Sequence, residues 1–288
     1  MCLGERVRGV LFDSELESLL RDDLHHLDLT TVYMGVESER GVARLVSRSR
    51  GVLAGVEEAA DVYEKAGATV GYLLGSGSEV SSGAVVLEAE GRASSLHAAW
   101  RVAQALVSYM SGVATYTRLM VEAARRVNPR VVVATTRQTP PGLRRLWLKA
   151  VLAGGGVVHR QSLSDEILLF RNHLVFAGGR GLGEVVRSLK ARVGYKRVGV
   201  EVGSLEEALE AVEAGADYVQ FDHVDPATLR SWVSRLRSEF SGVSIGVGGG
   251  VDLENVGEYA ATGVDVIVTS APYHAKPLSF TTIMERRP

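Results

Sequence analysis

The chain has 288 residues, of which 46% are hydrophobic and 23% charged, and its formal net charge is −2, as in a soluble globular protein. No apolar run reaches the roughly 18 residues of a membrane-spanning helix. An isoelectric point of about 6.4 gives no basic field for nucleic acid. We therefore expect neither a membrane nor a nucleic-acid partner.

The first stretch, "MCLGERVRGVLFDSELESLL", carries acids early and lacks the apolar core of a secretion signal, so we expect a cytoplasmic protein. The single cysteine, Cys2, excludes an intrachain disulfide and argues against a thiolate metal cluster. We interpret it as an incidental terminal residue. Only five of the 32 basic residues are lysine, and the rest are arginine. Arginine suits carboxylate and phosphate ligands. A GC-rich genome or a heat-adapted host would produce the same bias.

Residues 1–110 are predicted to form a separate α/β domain. Strand character is found at 41–55 and 84–91, and helical character at 56–68 and along the stretch 95–127, which connects this domain to the next. We expect the C-terminal tail, 276–288, to join the same domain.

Residues 111–275 alternate short apolar strands with helices, which predicts a parallel sheet covered by helices. Ser204 and Asp225 are natural N-caps of two of these helices, and Gly215 and Gly263 end two of them. Seven strands in about 140 residues favour a compact, incomplete α/β barrel. An open doubly wound sheet is the alternative.

Each predicted strand of this second half ends in a polar side chain. One charge at a strand end is usually a solvated cap, but in barrel enzymes the carboxyl ends of the strands carry the chemistry. So many polar ends on one rim predict a site for small anionic substrates. The candidates are Arg137, His159, Arg160, Arg171, Glu201, Asp222, Gly248, Gly249, Gly250, Thr269 and Ser270.

The glycine turn 248–250 lies between a strand and a predicted helix start. Backbone N–H groups at a helix N-terminus have no partner within the helix and bind phosphate, and glycine lets the backbone approach the ligand. A glycine turn is often only a turn, but its place after a late strand of a barrel favours a phosphate site.

Glu201 and Asp222 suit either general acid–base catalysis or oxygen ligation of Mg²⁺. With arginines and a phosphate turn nearby, we favour Mg²⁺ holding a phosphorylated ligand. No lysine ends a strand, which argues against a Schiff-base aldolase.

His223 and His274 are the other histidines near strand ends. On the intervening helix, Arg144, Arg145 and Lys149 are interpreted as ordinary surface residues.

In order and spacing, these motifs closely resemble the quinolinate phosphoribosyltransferase family, that is, nicotinate-nucleotide pyrophosphorylase (carboxylating), and most of all its ModD-like branch. The segments that carry the resemblance are "DLTT" (28–31), "WRVAQALVSYMSGVAT" (100–115), "TRQTPPGLR", "GGGVVHRQSLSD", "RNH", "EVGSLEEA", "FDHV", "GGGV" and "GVDVIVTS".

The resemblance implies an N-terminal α/β sandwich, an open α/β barrel and a homodimer, or a higher oligomer, with active sites shared between subunits. It implies phosphoribosyl transfer from phosphoribosyl pyrophosphate (PRPP) to quinolinate with Mg²⁺, giving nicotinate mononucleotide, pyrophosphate and CO₂. Matched to the motifs, Arg137, His159 and Arg160 bind the acceptor, and Arg101 comes from the partner subunit. Glu201 and Asp222 hold ribose and Mg²⁺, and Gly249 and Gly250 match the phosphate loop. We expect Gly248 and Ser270 to bind phosphate beside them.

Four positions depart from the family pattern. Gln138 and Phe170 stand at two family lysines, with Arg171 beside the second, while Gly248 replaces a serine and Ser270 a glycine. Two cations are thus missing from a site for a dianion and a polyphosphate.

Three rival functions remain open. The first is phosphoribosyl transfer to another acid or base, as in the ModD-like branch. The second is a phosphosugar isomerase or lyase, and the third is a non-catalytic sensor of a nucleotide or oxyanion.

Overall fold

A computed structural model describes residues 9–142 and 144–287, so Cys2 and the expectation attached to it lie outside the described residues. The chain divides into two compact units. Within the described residues, the first comprises 9–118, 140–142, 144–155 and 273–287, and the second comprises 119–139 and 156–272. None of the helices in the described ranges combines the length and apolar character that crossing a bilayer requires.

The first unit contains an antiparallel sheet of four strands, which are β1 (Arg40–Ser47), β3 (Thr69–Leu73), β5 (Val85–Arg92) and β13 (Phe280–Arg286). Their order across the sheet is β13–β1–β5–β3. Since β13 pairs with β1, the C-terminal strand belongs to this unit. Two short strands, β2 (Gly51–Val52) and β4 (Glu79–Val80), form a separate pair.

The helices of this unit are α1 (Asp13–Leu24), α2 (Leu29–Met34), α3 (Val56–Lys65), α4 (Ala93–Val127), which continues into the second unit, and α5 (Arg144–Ala153). Leu146, Ala150 and Val151 of α5 are buried in the core of the first unit. Residues 140–155, placed by the sequence in the barrel segment, therefore lie in the first unit, because that is where their apolar face is buried.

The interpretation of Arg145 and Lys149 as ordinary surface residues is wrong. The ammonium group of Lys149, whose side chain is 16% exposed, lies 2.9 Å from Oε2 of Glu57 and 2.7 Å from Oε1 of Glu58. Arg145 pairs with Glu15, and its guanidinium lies 4.1 Å from the centre of the Phe12 ring. Lys149 is thus largely buried, and Arg145 is partly exposed but held by two contacts, which helical spacing alone does not identify.

The second unit contains a parallel sheet of seven strands, which are β6 (Val132–Thr135), β7 (Val157–Val158), β8 (Ile167–Leu169), β9 (Val198–Val202), β10 (Tyr218–Asp222), β11 (Ser244–Gly248) and β12 (Val266–Thr269). Their order is β7–β6–β12–β11–β10–β9–β8. Strands that follow one another in the chain are sheet neighbours except β7 and β8, and β12 returns to pair with β6 as in a barrel. The opening falls between the short edge strands β7 and β8, so the predicted open barrel is confirmed.

The helices between these strands are α6 (Arg171–Leu174), α7 (Leu182–Val193), α8 (Leu205–Glu213), α9 (Pro226–Glu239) and α10 (Val256–Ala260), and a 3₁₀ turn spans Ala271–His274. The predicted caps are confirmed. The Ser204 side chain accepts a hydrogen bond from the Glu207 amide, and Asp225 accepts from two amides of the first turn of α9. Gly215 and Gly263, at helix ends, adopt left-handed φ angles of +98° and +88°.

Candidate active site

A cavity of about 620 Å³ lies at the carboxyl ends of the barrel strands. Because all seven strands are parallel, their carboxyl ends meet on one rim, and the residues that follow them surround one space. Eleven of the predicted site residues line the cavity: Arg137, Gln138, His159, Arg160, Glu201, Asp222, Gly248, Gly249, Gly250, Thr269 and Ser270.

Two cations line one side of this cavity. Arg160 is buried, with 8% of its surface exposed, and its guanidinium lies 5.3 Å from the centre of the Phe170 ring. Burial and the charge of Arg137 both lower the pKa of Arg160, so the two cations lie near each other. Arginine stays protonated through such shifts, and the pair therefore presents fixed positive charge to a ligand.

His159 lies next to Arg160 but contributes no charge at neutral pH. Burial, with a contribution from the adjacent Arg160, lowers the pKa of His159 to about 4. Its ring contacts that of Tyr218, with 5.6 Å between the ring centres. The neutral imidazole is able to donate one hydrogen bond and accept another.

Glu201 and Asp222 provide the negative side of the cavity. Burial and, to a smaller extent, the charge of Asp222 raise the pKa of the Glu201 carboxyl to about 6, against a hydrogen bond from Gln220 that lowers it. In the sheet register Glu201 pairs with Gln220, so Asp222, two residues along β10 on the same face, is its diagonal neighbour. Within the described residues, no three His, Cys, Asp or Glu side chains are grouped so as to hold a metal ion.

The glycine turn follows β11. Gly249 and Gly250 adopt left-handed φ angles of +87° and +69°, which few other residues tolerate. The predicted helix start at this turn is wrong, since α10 begins only at Val256. The Asp252 and Asn255 side chains accept hydrogen bonds from the amides of residues 252, 254 and 255. Any phosphate contact therefore falls to the turn itself, not to a helix N-terminus.

His223 completes this edge of the cavity. It has a φ of +54°, and only one other non-glycine residue in the described ranges has a positive φ. Its Nδ1 lies 3.0 Å from Oδ2 of Asp222, and its ring lies against Gly249, where an added Cβ would meet that nitrogen at 2.5 Å. The hydrogen bond and charge of Asp222 raise the pKa of His223.

Two family descriptions match the chain: "Quinolinate phosphoribosyl transferase, N-terminal domain" at residues 28–111, and the C-terminal domain of the same enzyme at 113–281. The chain belongs to the quinolinate phosphoribosyltransferase family. The resemblance drawn from the motifs is thereby confirmed, and the second match spans every strand that surrounds the cavity.

Similar proteins of this family carry two different names. The chain is 33% identical over 276 residues to the "Putative pyrophosphorylase ModD" of Pasteurella multocida, covering 96% of this chain and 98% of that one. It is 41% identical over 238 residues to the "Probable nicotinate-nucleotide pyrophosphorylase [carboxylating]" of Archaeoglobus fulgidus, covering 82% and 90%. The structure of NadC from Streptococcus pyogenes superposes with a TM-score of 0.88 at 28% identity, covering 99% and 100%.

Two predicted site residues of this phosphoribosyltransferase-family chain do not line the cavity. Arg171 is exposed at the first position of α6, and it is its neighbour Phe170 that faces the cavity. Arg101 belongs to the first unit, where it is exposed on α4 with its guanidinium 4.3 Å from the centre of the Trp100 ring. His274 is exposed in the first unit and does not line the cavity either.

Gln220 and Asp252 also line the cavity, although neither is among the residues predicted from the sequence. For Gln220 a signal was present. Residues two apart on a strand share a face, so Gln220 lies on the face of β10 that carries Asp222. For Asp252 the sequence offers no comparable pattern, because its place depends on the conformation of the glycine turn.

Proposed function

We propose that this protein transfers the phosphoribosyl group of PRPP to the ring nitrogen of an aromatic acid, with quinolinate as the acceptor. In that reaction the nitrogen bonds to the anomeric carbon as the carbon–oxygen bond to pyrophosphate breaks. The carboxylate next to the nitrogen then leaves as CO₂, and the ring carbon takes a proton from water. The product is nicotinate mononucleotide, an intermediate in NAD biosynthesis.

One observation carries the proposal above all others. The arginine pair Arg137 and Arg160, the acids Glu201 and Asp222, and the glycine turn all line the same cavity. Arginines are suited to an acid, carboxylates to a sugar or a cation, and a glycine turn to phosphate. A phosphosugar isomerase or lyase has no need of the arginine pair, and a pure sensor has no need of both acids.

Arg137 and Arg160 would orient the acceptor through its carboxylates. Because His159 is neutral, it would add hydrogen bonds rather than charge. Fixed charges in a partly buried cavity need little reorganisation during the reaction. We therefore assign most of the rate enhancement to positioning and electrostatic stabilisation of the positive charge that develops on the sugar.

The cavity also fits Mg²⁺. This cation keeps several waters and is bound through one or two carboxylates together with substrate phosphates. Glu201 and Asp222 supply two carboxylates close to each other, and the absence of a third ligand among the described residues suits a cation that arrives with PRPP. Bound there, Mg²⁺ would neutralise charge on the pyrophosphate leaving group.

We further propose a homodimer in which Arg101 of one subunit completes the site of the other. This proposal rests on the family resemblance and on an exposed Arg101 that does not line the cavity of the second unit. Mixing Arg101→Ala with Glu201→Ala chains should restore up to about a quarter of the wild-type activity, since half of the sites in mixed dimers are intact. No recovery after subunit exchange would contradict a shared site.

We also propose that the protein is located in the cytoplasm, because a chain with one cysteine needs no oxidising compartment to fold.

The decisive experiment incubates the purified protein with PRPP, Mg²⁺ and a panel of pyridine and other aromatic acids, following pyrophosphate and CO₂ release. Quinolinate should give both products, and Glu201→Ala should abolish turnover. Turnover with another acid but not with quinolinate would support the second candidate, a ModD-like transferase for a different acceptor. Gln138 and Phe170 in the cavity and the similarity to ModD favour that candidate.

A further inference from the structure

Three polar side chains of β10 face the interior of the barrel. Tyr218, Gln220 and Asp222 are two residues apart and therefore share one face of the strand. In the register of the sheet, Gln220 pairs with Glu201 of β9 on one side and with Gly246 of β11 on the other. Gln220 thus lies directly beside an acid of the cavity, one layer below Asp222.

A chain of two hydrogen bonds runs through this layer. The Tyr218 hydroxyl donates to Oε1 of Gln220 at 3.1 Å, and Nε2 of Gln220 donates to Oε2 of Glu201 at 3.1 Å. The direction of the chain is fixed by chemistry. A carboxylate only accepts, so the amide must present its NH₂ group to Glu201, and its carbonyl must then face the hydroxyl donor.

The space for Tyr218 is built into the neighbouring strands. At Gly246 an added Cβ would overlap the tyrosine hydroxyl and lie 2.8 Å from its ring carbon Cε2, and at Gly199 it would lie 2.9 Å from Cδ1. Neither glycine has a left-handed φ that would itself require the residue. Close approach of the tyrosine ring therefore accounts for both glycines, on β9 and on β11.

Gln220 is buried, with 5% of its surface exposed, and Tyr218 is half-buried. Burial is the main cause that raises the pKa of Tyr218. Buried polar groups that lose a partner are costly, so each link constrains the next. Tyr218 also packs against His159 on the acceptor side, with 5.6 Å between the ring centres. Its ring supports one side of the cavity, while its hydroxyl acts through Gln220 on the other.

We propose that Gln220 and Tyr218 are positioning residues, which hold the Glu201 carboxylate in the orientation that phosphoribosyl transfer requires. The proposal rests on the proposed function, because it assigns Glu201 to PRPP. Gln220 acts on Glu201 directly, and the Tyr218 hydroxyl acts only by fixing the Gln220 amide. Nothing in this assignment requires either residue to touch a substrate.

The kinetic test compares Gln220→Met, Tyr218→Phe and the double variant with the wild type under saturating Mg²⁺. Gln220→Met should lower kcat by about ten-fold or more, as expected for the loss of a hydrogen bond to a charged group. Tyr218→Phe should lower kcat less and leave the acceptor KM unchanged, because the ring remains against His159. The double variant should be no worse than Gln220→Met, since the hydroxyl has no route to Glu201 without the amide.

Two outcomes would overturn the proposal. One is wild-type kcat in Gln220→Met. The other is a double variant whose loss is the product of the two single losses, which would mean that the residues act independently. Rates are divided by the concentration of folded protein. A residue whose role is purely structural would then lower the unfolding midpoint on substitution without changing kcat. If the methionine is not accommodated, Tyr218→Phe alone tests the same link.

A crystal structure of Gln220→Met separates this proposal from the proposed function. If the wild type turns over no acceptor and binds no Mg²⁺–PRPP, the proposed function fails. The positioning role is then judged by geometry alone. The Glu201 carboxylate should adopt a different rotamer, or more than one, in the variant. A carboxylate that keeps its wild-type position would overturn the positioning role whatever the activity.

Discussion

The Arg160 guanidinium lies over the Phe170 ring, 5.3 Å from the ring centre, inside the cavity at the carboxyl ends of the barrel strands. One face of the cation is thus covered by an aromatic ring. Where the motif resemblance implies a lysine, this chain has an aromatic ring that packs against an existing cation. The consequence for acceptor binding is testable.

Phe170→Ala should raise the KM for the acceptor acid by roughly five-fold, because a partly desolvated cation–π contact contributes about 1 kcal/mol. The KM for PRPP should stay within about two-fold, since the acids and the glycine turn are untouched. Steady-state kinetics with each substrate varied in turn measures both constants. An unchanged acceptor KM would show that the ring does not orient Arg160 for binding.

Gln138→Lys should strengthen quinolinate binding about five-fold, or by about 1 kcal/mol. Gln138 lines the cavity but is exposed, so the added charge is worth less than a buried one. Calorimetric titration with quinolinate and with a monocarboxylate of similar shape measures the gain. The gain should be larger for the dianion, and equal or weaker binding of quinolinate would contradict the electrostatic explanation.

Gly249→Ala and Gly250→Ala form a matched pair. Both positions have a left-handed φ, which costs an alanine about 1 kcal/mol, but only at Gly249 would the Cβ meet a side chain, the His223 ring. Gly249→Ala should therefore be the less stable variant and should weaken PRPP binding more. Urea unfolding and the KM for PRPP measure the two effects, and equal behaviour of the variants would contradict a role for the His223 contact.

His159 should make the folded state sensitive to acid. Its pKa is about 4 in the folded chain against an ordinary value of 6.5, so below pH 6.5 the unfolded chain binds a proton that the folded chain does not. This residue therefore lowers the free energy of unfolding as the pH falls from 6.5 towards 4, by at most about 3 kcal/mol.

The measurement is the free energy of unfolding between pH 4 and 7.5 for the wild type and for His159→Gln. The variant should lose less stability over that range, whatever its absolute stability at pH 7. Nuclear magnetic resonance should find the His159 imidazole neutral down to about pH 5. An imidazole that titrates near pH 6.5 would contradict the assignment.

Lys149→Met should lower the free energy of unfolding by about 3 kcal/mol, because it leaves two buried glutamates without their cation. Glu58 is fully buried and Glu57 nearly so. Arg235→Ala is the control, since its ion pair with Glu239 is exposed and contributes a few tenths of a kcal/mol. Equal, small losses in both variants would mean that the Lys149 cluster contributes little to stability.

The order of elements was largely readable from the sequence. Apolar runs bounded by glycine, together with the caps Ser204 and Asp225, predicted the strands and helices of the barrel, because local propensity and hydrophobic period act within a few residues. The spacing of "TRQTPPGLR" and "GGGVVHRQSLSD" predicted the family. The rule that chemistry lies at the carboxyl ends of parallel strands placed Arg137, Glu201 and Asp222 on one rim.

Tertiary structure decided the rest. The sequence gives no means of knowing that Lys149 lies between two buried glutamates, or that Phe170 rather than Arg171 faces the cavity, because each depends on contacts between segments far apart in the chain. The sheet register alone brings Gln220 beside Glu201. Sequence by itself therefore determined the family, the open barrel and the identity of the charged groups. Their pKa values, their partners and the layer that holds Glu201 come from packing, since burial and distance exist only in the folded chain.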